Sequence, residues 1–264
     1  MQSYAQTNIQ LLNQLQREGY SKEDLISISN TYDLAMKLFT GCYRPSGKTF
    51  IAHVVGTASI LASLHVSAKI VAAGLIHSIY AHGDFGSWGK GISNAKRKQV
   101  RSVVGEEIEE YVCRYAAWKW NAQNILAIRD RLDKLDRIDR DVLLIRLADQ
   151  LEDNLDLSII YCPNCKSRQK FFQEMGSIMI EMSQKIGFPT LAAELEAAFQ
   201  ETLLAKTHRE LSKQGKEEYS FSIAPKSYRR KLSVAVYQQF TLSLNYFRST
   251  LLRVNRKLRS LYHF

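Results

Sequence analysis

The chain has 264 residues, 45% of them hydrophobic, enough for one sizeable core or for a domain with an appendage. Only 4 prolines and 13 glycines interrupt it, and its apolar positions recur mostly at steps of three and four, which excludes a strand-and-turn sandwich and predicts an all-α fold. The formal net charge is +10, and residues 1–205 hold 23 Lys+Arg against 23 Asp+Glu while residues 206–264 hold 13 against 3. The whole excess therefore sits in the C-terminal segment.

No apolar stretch reaches the roughly 18–20 residues needed to cross a bilayer, and Met1 to Gln16 is polar, so a cytoplasmic protein without a signal peptide is expected. Cys42, Cys113, Cys162 and Cys165 are too scattered for a disulfide framework. In chain order, Ser21 to Asp24 is a capping-type start for one or two helices over Lys22 to Phe39. Gly41 to Lys48 reads as a loop, Thr49 to Leu64 as a helix, and Ala68 to His82 as a second helix stopped by Gly83. Gly83 to Ser93 is glycine-rich and long enough for a lid or an active-site loop. Further helices are expected over about Ala95 to Trp118, Asp139 to Leu157, Ser167 to Ile186 and Thr190 to Glu210. Cys162-Pro163-Asn164-Cys165 has zinc-knuckle or redox spacing, but no second short-spaced Cys/His pair follows, so it reads as a loop between helices.

The domain reading is a helical body over residues 1–212 and, over 213–264, a linker with a basic amphipathic helix. Phe240, Leu244, Phe247, Leu251, Val254, Leu258 and Leu261 form its heptad-like stripe, with arginines and lysines mainly off it. Self-association or packing through residues 225–261 is the first expectation, and docking on an anionic membrane surface the second. Nucleic acid ranks last, because no groove-reading motif accompanies the basic residues.

The chemistry concentrates on three helices. His53 shares a face with Thr57, Ile60 and Leu64, His77 with Ile70 and Ala73, and Asp149 with Val142 and Ile145. An acid on an inward face is costly unless it is paired or bound to a metal. Two imidazoles and a carboxylate suit Mn²⁺, Fe²⁺ or Zn²⁺, although by spacing alone a buried histidine is more often a hydrogen-bonded core residue.

Arg44-Pro45-Ser46-Gly47-Lys48-Thr49-Phe50-Ile51-Ala52-His53 resembles the RxxGxx(Y/F)xxH motif that opens the HD-type hydrolase domain of RelA/SpoT enzymes. Ala72-Ala73-Gly74-Leu75-Ile76-His77 resembles the helix ending in that family's HD pair, and Arg146-Leu147-Ala148-Asp149-Gln150-Leu151 its (K/R)LADRL motif. The resemblance spans about residues 30–160 and implies an HD-like helical bundle with His53, His77 and Asp149 as ligands of a divalent metal, Mn²⁺ first. It implies a phosphorylated small molecule or nucleotide as substrate, with Arg44 and Ser46 lining its pocket. The sequence departs from the pattern where the HD aspartate is replaced by Ser78 and a Glu-Asp pair by Ala81-His82. The region after Asp149 also reads as shifted, with Asp153-Asn154 displaced from the family's histidine-asparagine. His82, one turn after Ser78, is the candidate to replace the lost acid/base or ligand group, although its place at a helix C-terminus favours imidazolium. The expectation is a divergent metal-dependent phosphohydrolase; the alternative is a silent HD fold, without metal, that binds nucleotides or acts as a scaffold.

Overall fold

The computed structural model describes residues 4–86, 90–207, 211 and 221–222. They belong to one compact unit, Met1–Ser222; the expected helix over 225–261 lies outside the described residues. Among the described residues the fold is all-α, with a single two-residue antiparallel ladder. No described helix is long and apolar enough to cross a membrane.

The helices are α1 (Asn8–Arg17), α2 (Lys22–Phe39), α3 (Phe50–Ser63), α4 (Ala68–Ile76), α5 (Ile79–His82), α6 (Asn94–Val104), α7 (Glu106–Ala117), α8 (Ala122–Asp130), α9 (Arg137–Leu155), α10 (Cys165–Lys185) and α11 (Pro189–Leu204). Helices α3 and α4 form the centre, because apart from Lys69 on α4 and the buried His53 on α3 they are apolar or small on nearly every face and such helices must be covered. They pack on each other, with α2 and α7 against α4 and α9 against α3. Gly74 permits the α3–α4 approach: a Cβ there would stand 2.6 Å from Leu61 Cδ1 and 3.5 Å from the Ala58 backbone. A hairpin of α10 and α11 joins this bundle through α9.

Several boundaries differ from the sequence reading. Helix α1 carries a Thr7/Gln10 capping box that the polar N-terminal composition concealed. The helix expected over Ala68 to His82 breaks after Ile76, with Ser78 at φ −99°, ψ 12°, between α4 and α5. Gly105, at φ 85°, divides the expected Ala95–Trp118 helix into α6 and α7. Helix α8 was not expected, and α11 ends at Leu204 rather than Glu210. Cys42–Tyr43 forms β1 inside the expected Gly41–Lys48 loop and pairs with β2, Phe221–Ser222, inside the expected linker. Cys162 and Cys165 flank the start of α10, and all four cysteines are free thiols.

Candidate metal centre

The first side chains are placed by a turn. Pro45 supplies the fixed φ of the second turn position, and Gly47, at φ 95°, donates its N–H to the Arg44 carbonyl at 2.8 Å. Ser46 belongs to this turn, its Oγ accepting from the Lys48 N–H at 3.4 Å, and it is not among the residues that line the cavity described below. Thr49 then caps α3 by accepting from the Ala52 N–H, and His53 follows one turn later, fully buried.

His53, His77 and Asp149 come together from α3, the end of α4 and α9, with their nearest donor atoms all within 4.8 Å of one another. Asp149 Oδ1 lies 3.2 Å from His53 Nε2 and 3.5 Å from His77 Nε2, and it accepts no hydrogen bond although it is buried. Its other oxygen is taken, by the Tyr115 hydroxyl at 2.6 Å and the Gln150 amide at 3.3 Å. Each imidazole is oriented through its far nitrogen. The Glu152 carboxylate and the Gly74 carbonyl can only accept, so His53 Nδ1 donates to Glu152 and His77 Nδ1 donates to Gly74 O, the latter at 2.8 Å. In the neutral rings both Nε2 lone pairs then fall on the same side as Asp149 Oδ1, the tautomer pattern that outer partners impose on metal-binding histidines. Two nitrogen lone pairs and an unsatisfied buried carboxylate oxygen fit a divalent cation.

The electrostatics agree with a cation-seeking point. Burial and Arg44 oppose protonation of His53, but Glu152 and Asp149 prevail and its pKa is raised to about 9. Burial would raise the Asp149 pKa, yet the His53 and His77 rings beside it hold it well below the usual carboxylate range. The raised affinity of His53 is for a proton, with which a metal ion would compete; in the neutral tautomer, with its hydrogen on Nδ1, the His53 Nε2 lone pair is the acceptor. In this structure Arg44 Nη1 donates to it at 3.1 Å, while Arg44 Nη2 is ion-paired with Asp153.

On the outer side of His53 the carboxylates are compensated. Glu152 is bonded to both His53 and Lys48, and Lys48 also reaches Asp156 at 2.8 Å. His53, Glu152 and Asp153 form a second triple of ligand-type side chains, but Arg44 and Lys48 already neutralise its carboxylates. Glu152 has room because residue 56 is glycine: a Cβ there would stand 2.7 Å from Glu152 Oε1.

On the inner side lies a cavity of about 250 Å³ lined by Arg44, His77, Ser78, Ala81, His82, Tyr115, Ala116, Trp118, Arg146 and Asp149. Ser78 and His82 thus share it, as the one-turn spacing suggested. Ser78 Oγ is buried without a hydrogen-bond partner. The expectation of a charged His82 is corrected: burial, with Arg44 and Lys90 nearby, lowers its pKa to about 4, so the ring is neutral near pH 7. Its ring centroid lies 4.9 Å from that of Phe50, over which Arg44 also sits. Tyr115, Trp118, Glu152 and Lys48 were not singled out from the sequence. Asp149, Glu152 and Asp153 are spaced to share one face of α9, and that spacing was the available signal for Glu152.

A family model described as a domain of unknown function, DUF6817, matches residues 37–119, which include the Arg44 turn, α3 to α5 and Tyr115. Among curated proteins, the chain is 24% identical over 224 residues to a guanosine-3′,5′-bis(diphosphate) 3′-pyrophosphohydrolase of Borreliella burgdorferi, covering 79% of this chain and 30% of the relative. It is 27% identical over 194 residues to a probable chloroplastic GTP diphosphokinase of Oryza sativa, covering 70% and 26%. A guanosine-3′,5′-bis(diphosphate) 3′-pyrophosphohydrolase of Haemophilus influenzae is 24% identical over 165 residues, covering 62% and 23%. The chain therefore spans between a quarter and a third of the first two relatives. A solved structure of a metazoan ortholog of SpoT that hydrolyses ppGpp is similar at 16% identity and a TM-score of 0.49, covering 67% of this chain and 97% of that one.

Proposed function

Because the chain is a distant sequence relative of RelA/SpoT-type proteins, diverged at Ser78, we propose that it is an HD-type, metal-dependent phosphohydrolase acting on a nucleotide or another phosphorylated small molecule. The observation that carries this reading is the convergence of both Nε2 lone pairs on the orphaned Asp149 Oδ1. His53, His77 and Asp149 would hold the metal, Mn²⁺ first by the resemblance, with Fe²⁺ and Zn²⁺ suited to the same nitrogen and oxygen donors. When bound, such an ion supplies Lewis acidity toward a phosphoryl oxygen and lowers the pKa of water.

This chain's own residues supply the remainder. Glu152 and the Gly74 carbonyl fix the two imidazole tautomers, and Tyr115 takes Asp149 Oδ2 so that Oδ1 alone faces the histidines. His82 lines the cavity as the candidate acid/base group, neutral near pH 7, and with its pKa lowered to about 4 it is a weak base that would carry a proton only in passing. Arg44 steadies the substrate's negative charge once it leaves His53 Nε2. Ser46, held in the turn, would meet only a substrate portion that extends beyond the cavity. The test is elemental analysis of protein purified without chelator, followed by release of phosphate or pyrophosphate from a nucleotide panel in Mn²⁺. Metal that disappears in His77→Ala, together with turnover, supports the reading; metal content indifferent to His77→Ala removes it.

A second reading is favoured by one contact. Arg44 Nη1 already satisfies His53 Nε2, and Arg44 with Lys48 neutralises Glu152 and Asp153, so the cluster is electrostatically closed without an added cation. A silent HD fold that binds a nucleotide or serves as a scaffold would look like this, and protein that contains no metal and turns nothing over would establish it.

A further inference from the structure

The cavity contains a charged group that the metal ligands do not use. Arg146 stands one turn before Asp149 on α9, with its Cζ 3.5 Å from the centroid of the Tyr115 ring, a close cation–π stack. Its Nη2 donates to the Tyr115 carbonyl at 2.9 Å, which fixes the guanidinium plane. Its Nε is buried and bonded to nothing. The nearest carboxylate oxygen, Asp149 Oδ2 at 3.8 Å, is beyond hydrogen-bond range and already accepts from the Tyr115 hydroxyl.

The other arginines around this part of the bundle behave differently. Arg97 forks onto Glu109 and Glu110, Arg114 bonds Glu110, Asp136 and Asp139, and Arg44 bonds Asp153. A guanidinium that stays charged with a buried, unused N–H is unfavourable unless an anion completes it. Ser78 Oγ, also on the cavity and also without a partner, adds an unused O–H to the unused N–H of Arg146. Arg44 is already paired with Asp153, so what invites a negative guest is the set of unused donors, the Arg146 Nε–H and the Ser78 hydroxyl, beside a guanidinium that no carboxylate hydrogen-bonds. At about 250 Å³ the cavity lies below the roughly 300–1,000 Å³ of most ligand sites, which suits a phosphoryl or diphosphoryl end rather than a whole nucleotide.

We propose that Arg146, held by Tyr115 and assisted by Ser78, is an anion subsite that binds a phosphoryl group of the ligand independently of the metal. The identity of that ligand as a substrate rests on the phosphohydrolase reading; the existence of the subsite does not. It also gives the aspartate-to-serine replacement at residue 78 a sense, since a carboxylate there would repel the anion that a hydroxyl can bond.

The probe is inorganic pyrophosphate, titrated calorimetrically into the full-length protein at fixed ionic strength, once after chelator treatment and once with Mn²⁺. Chelator-treated wild type should bind pyrophosphate, and Arg146→Gln, which keeps a donor for the Tyr115 carbonyl, should weaken that binding about tenfold or more by loss of a charge-assisted bond. Arg146→Lys should fall in between, and metal content should be unchanged in both. His77→Ala should show the converse, with metal lost and pyrophosphate binding kept. If Arg146→Gln loses its helical circular dichroism, Arg146→Lys becomes the deciding variant. Wild type that ignores pyrophosphate without metal, or a folded Arg146 variant that binds it as wild type does, overturns the subsite. Absence of metal from wild type with Arg146-dependent binding intact would overturn the hydrolase reading alone.

Discussion

The two sides of His53 carry similar residues and opposite states of satisfaction. Away from the cavity, the buried Glu152 and Asp153 are ion-paired or hydrogen-bonded to Lys48, Arg44 and His53. Toward the cavity, Asp149 Oδ1, Ser78 Oγ and Arg146 Nε are buried with no partner. A buried polar group costs stability unless it is bonded, so a completed network is scaffold, and a cluster of unmet groups around one cavity marks where a ligand completes the fold. Burial alone does not separate the two sides; the count of unmet donors and acceptors does.

The comparison breaks most sharply on the satisfied side. Glu152→Ala leaves Lys48 and the His53 Nδ1–H without their shared carboxylate, and removal of one partner from a buried pair costs about 3–5 kcal/mol. Chemical denaturation should show a loss of that size, with metal affinity falling as His53 loses its orientation. Gly56→Ala pushes a methyl into the same carboxylate and should cost about 1–3 kcal/mol. If both variants melt as wild type does, the outer network is not structural.

On the unsatisfied side, Ser78→Asp should sharpen the contrast by turning an orphaned hydroxyl into a fourth metal ligand. Mn²⁺ affinity should rise by about tenfold or more, while the metal-free protein loses stability because a second carboxylate joins Asp149. An unchanged Mn²⁺ titration would mean that residue 78 does not reach the ion. Wild type, with Ser78 and Ala81 where the motif that it resembles carries acids, should hydrolyse guanosine tetraphosphate far more slowly than Ser78→Asp, and robust wild-type turnover in Mn²⁺ would show that the chain has another route.

How much of this the sequence showed follows the distinction between local and tertiary information. His53, His77 and Asp149 were legible because motif and periodicity placed each on the inner face of a helix. Tyr115 and Arg146 were not read as partners, because the stack that joins them links α7 to α9 across 31 residues and no local pattern records it. Glu152 was not singled out, and Asp153 was read only as displaced from the pattern that the motif resembles. Their partners Lys48 and Arg44 stand 104 and 109 residues earlier in the chain, and no local pattern records those pairings. The break at Ser78 was hidden as well, since Ala68 to His82 has uninterrupted helical periodicity and the kink becomes visible only in the backbone angles.

A weaker effect separates the neutral His82 from the cluster around His53. Its pKa is lowered to about 4, so between that value and the unfolded value of about 6.5 the unfolded chain binds a proton that the folded chain does not. The stabilising contribution is complete above pH 6.5 and is lost as pH falls toward 4, with a slope of at most about 1.4 kcal/mol per pH unit. His82→Gln should flatten that limb of the stability profile, and a profile identical to wild type would show that His82 titrates normally.

The smallest effect concerns the ladder beside Arg44. Cys42–Tyr43 pairs with Phe221–Ser222, so a chain ending at Gly215 loses that pairing together with the basic segment beyond it. Two residues of ladder contribute little, and the core of α3, α4, α7 and α9 is complete without them. The truncated chain should therefore remain helical and melt within about 1 kcal/mol of the full chain. The turn at Arg44 is anchored on its other side by the Tyr43–Thr49 bridge and by the Arg44 N–H to Lys48 carbonyl bond at 2.8 Å, so metal content should hold. Anionic vesicles separate this local effect from one of the tail, since attraction of the basic segment to headgroups weakens as salt rises, whereas self-association through an apolar stripe does not. Truncation that unfolds the protein would place the C-terminal segment within the structural core, and truncation that abolishes metal binding while the helices persist would make the ladder a support of the Arg44 turn.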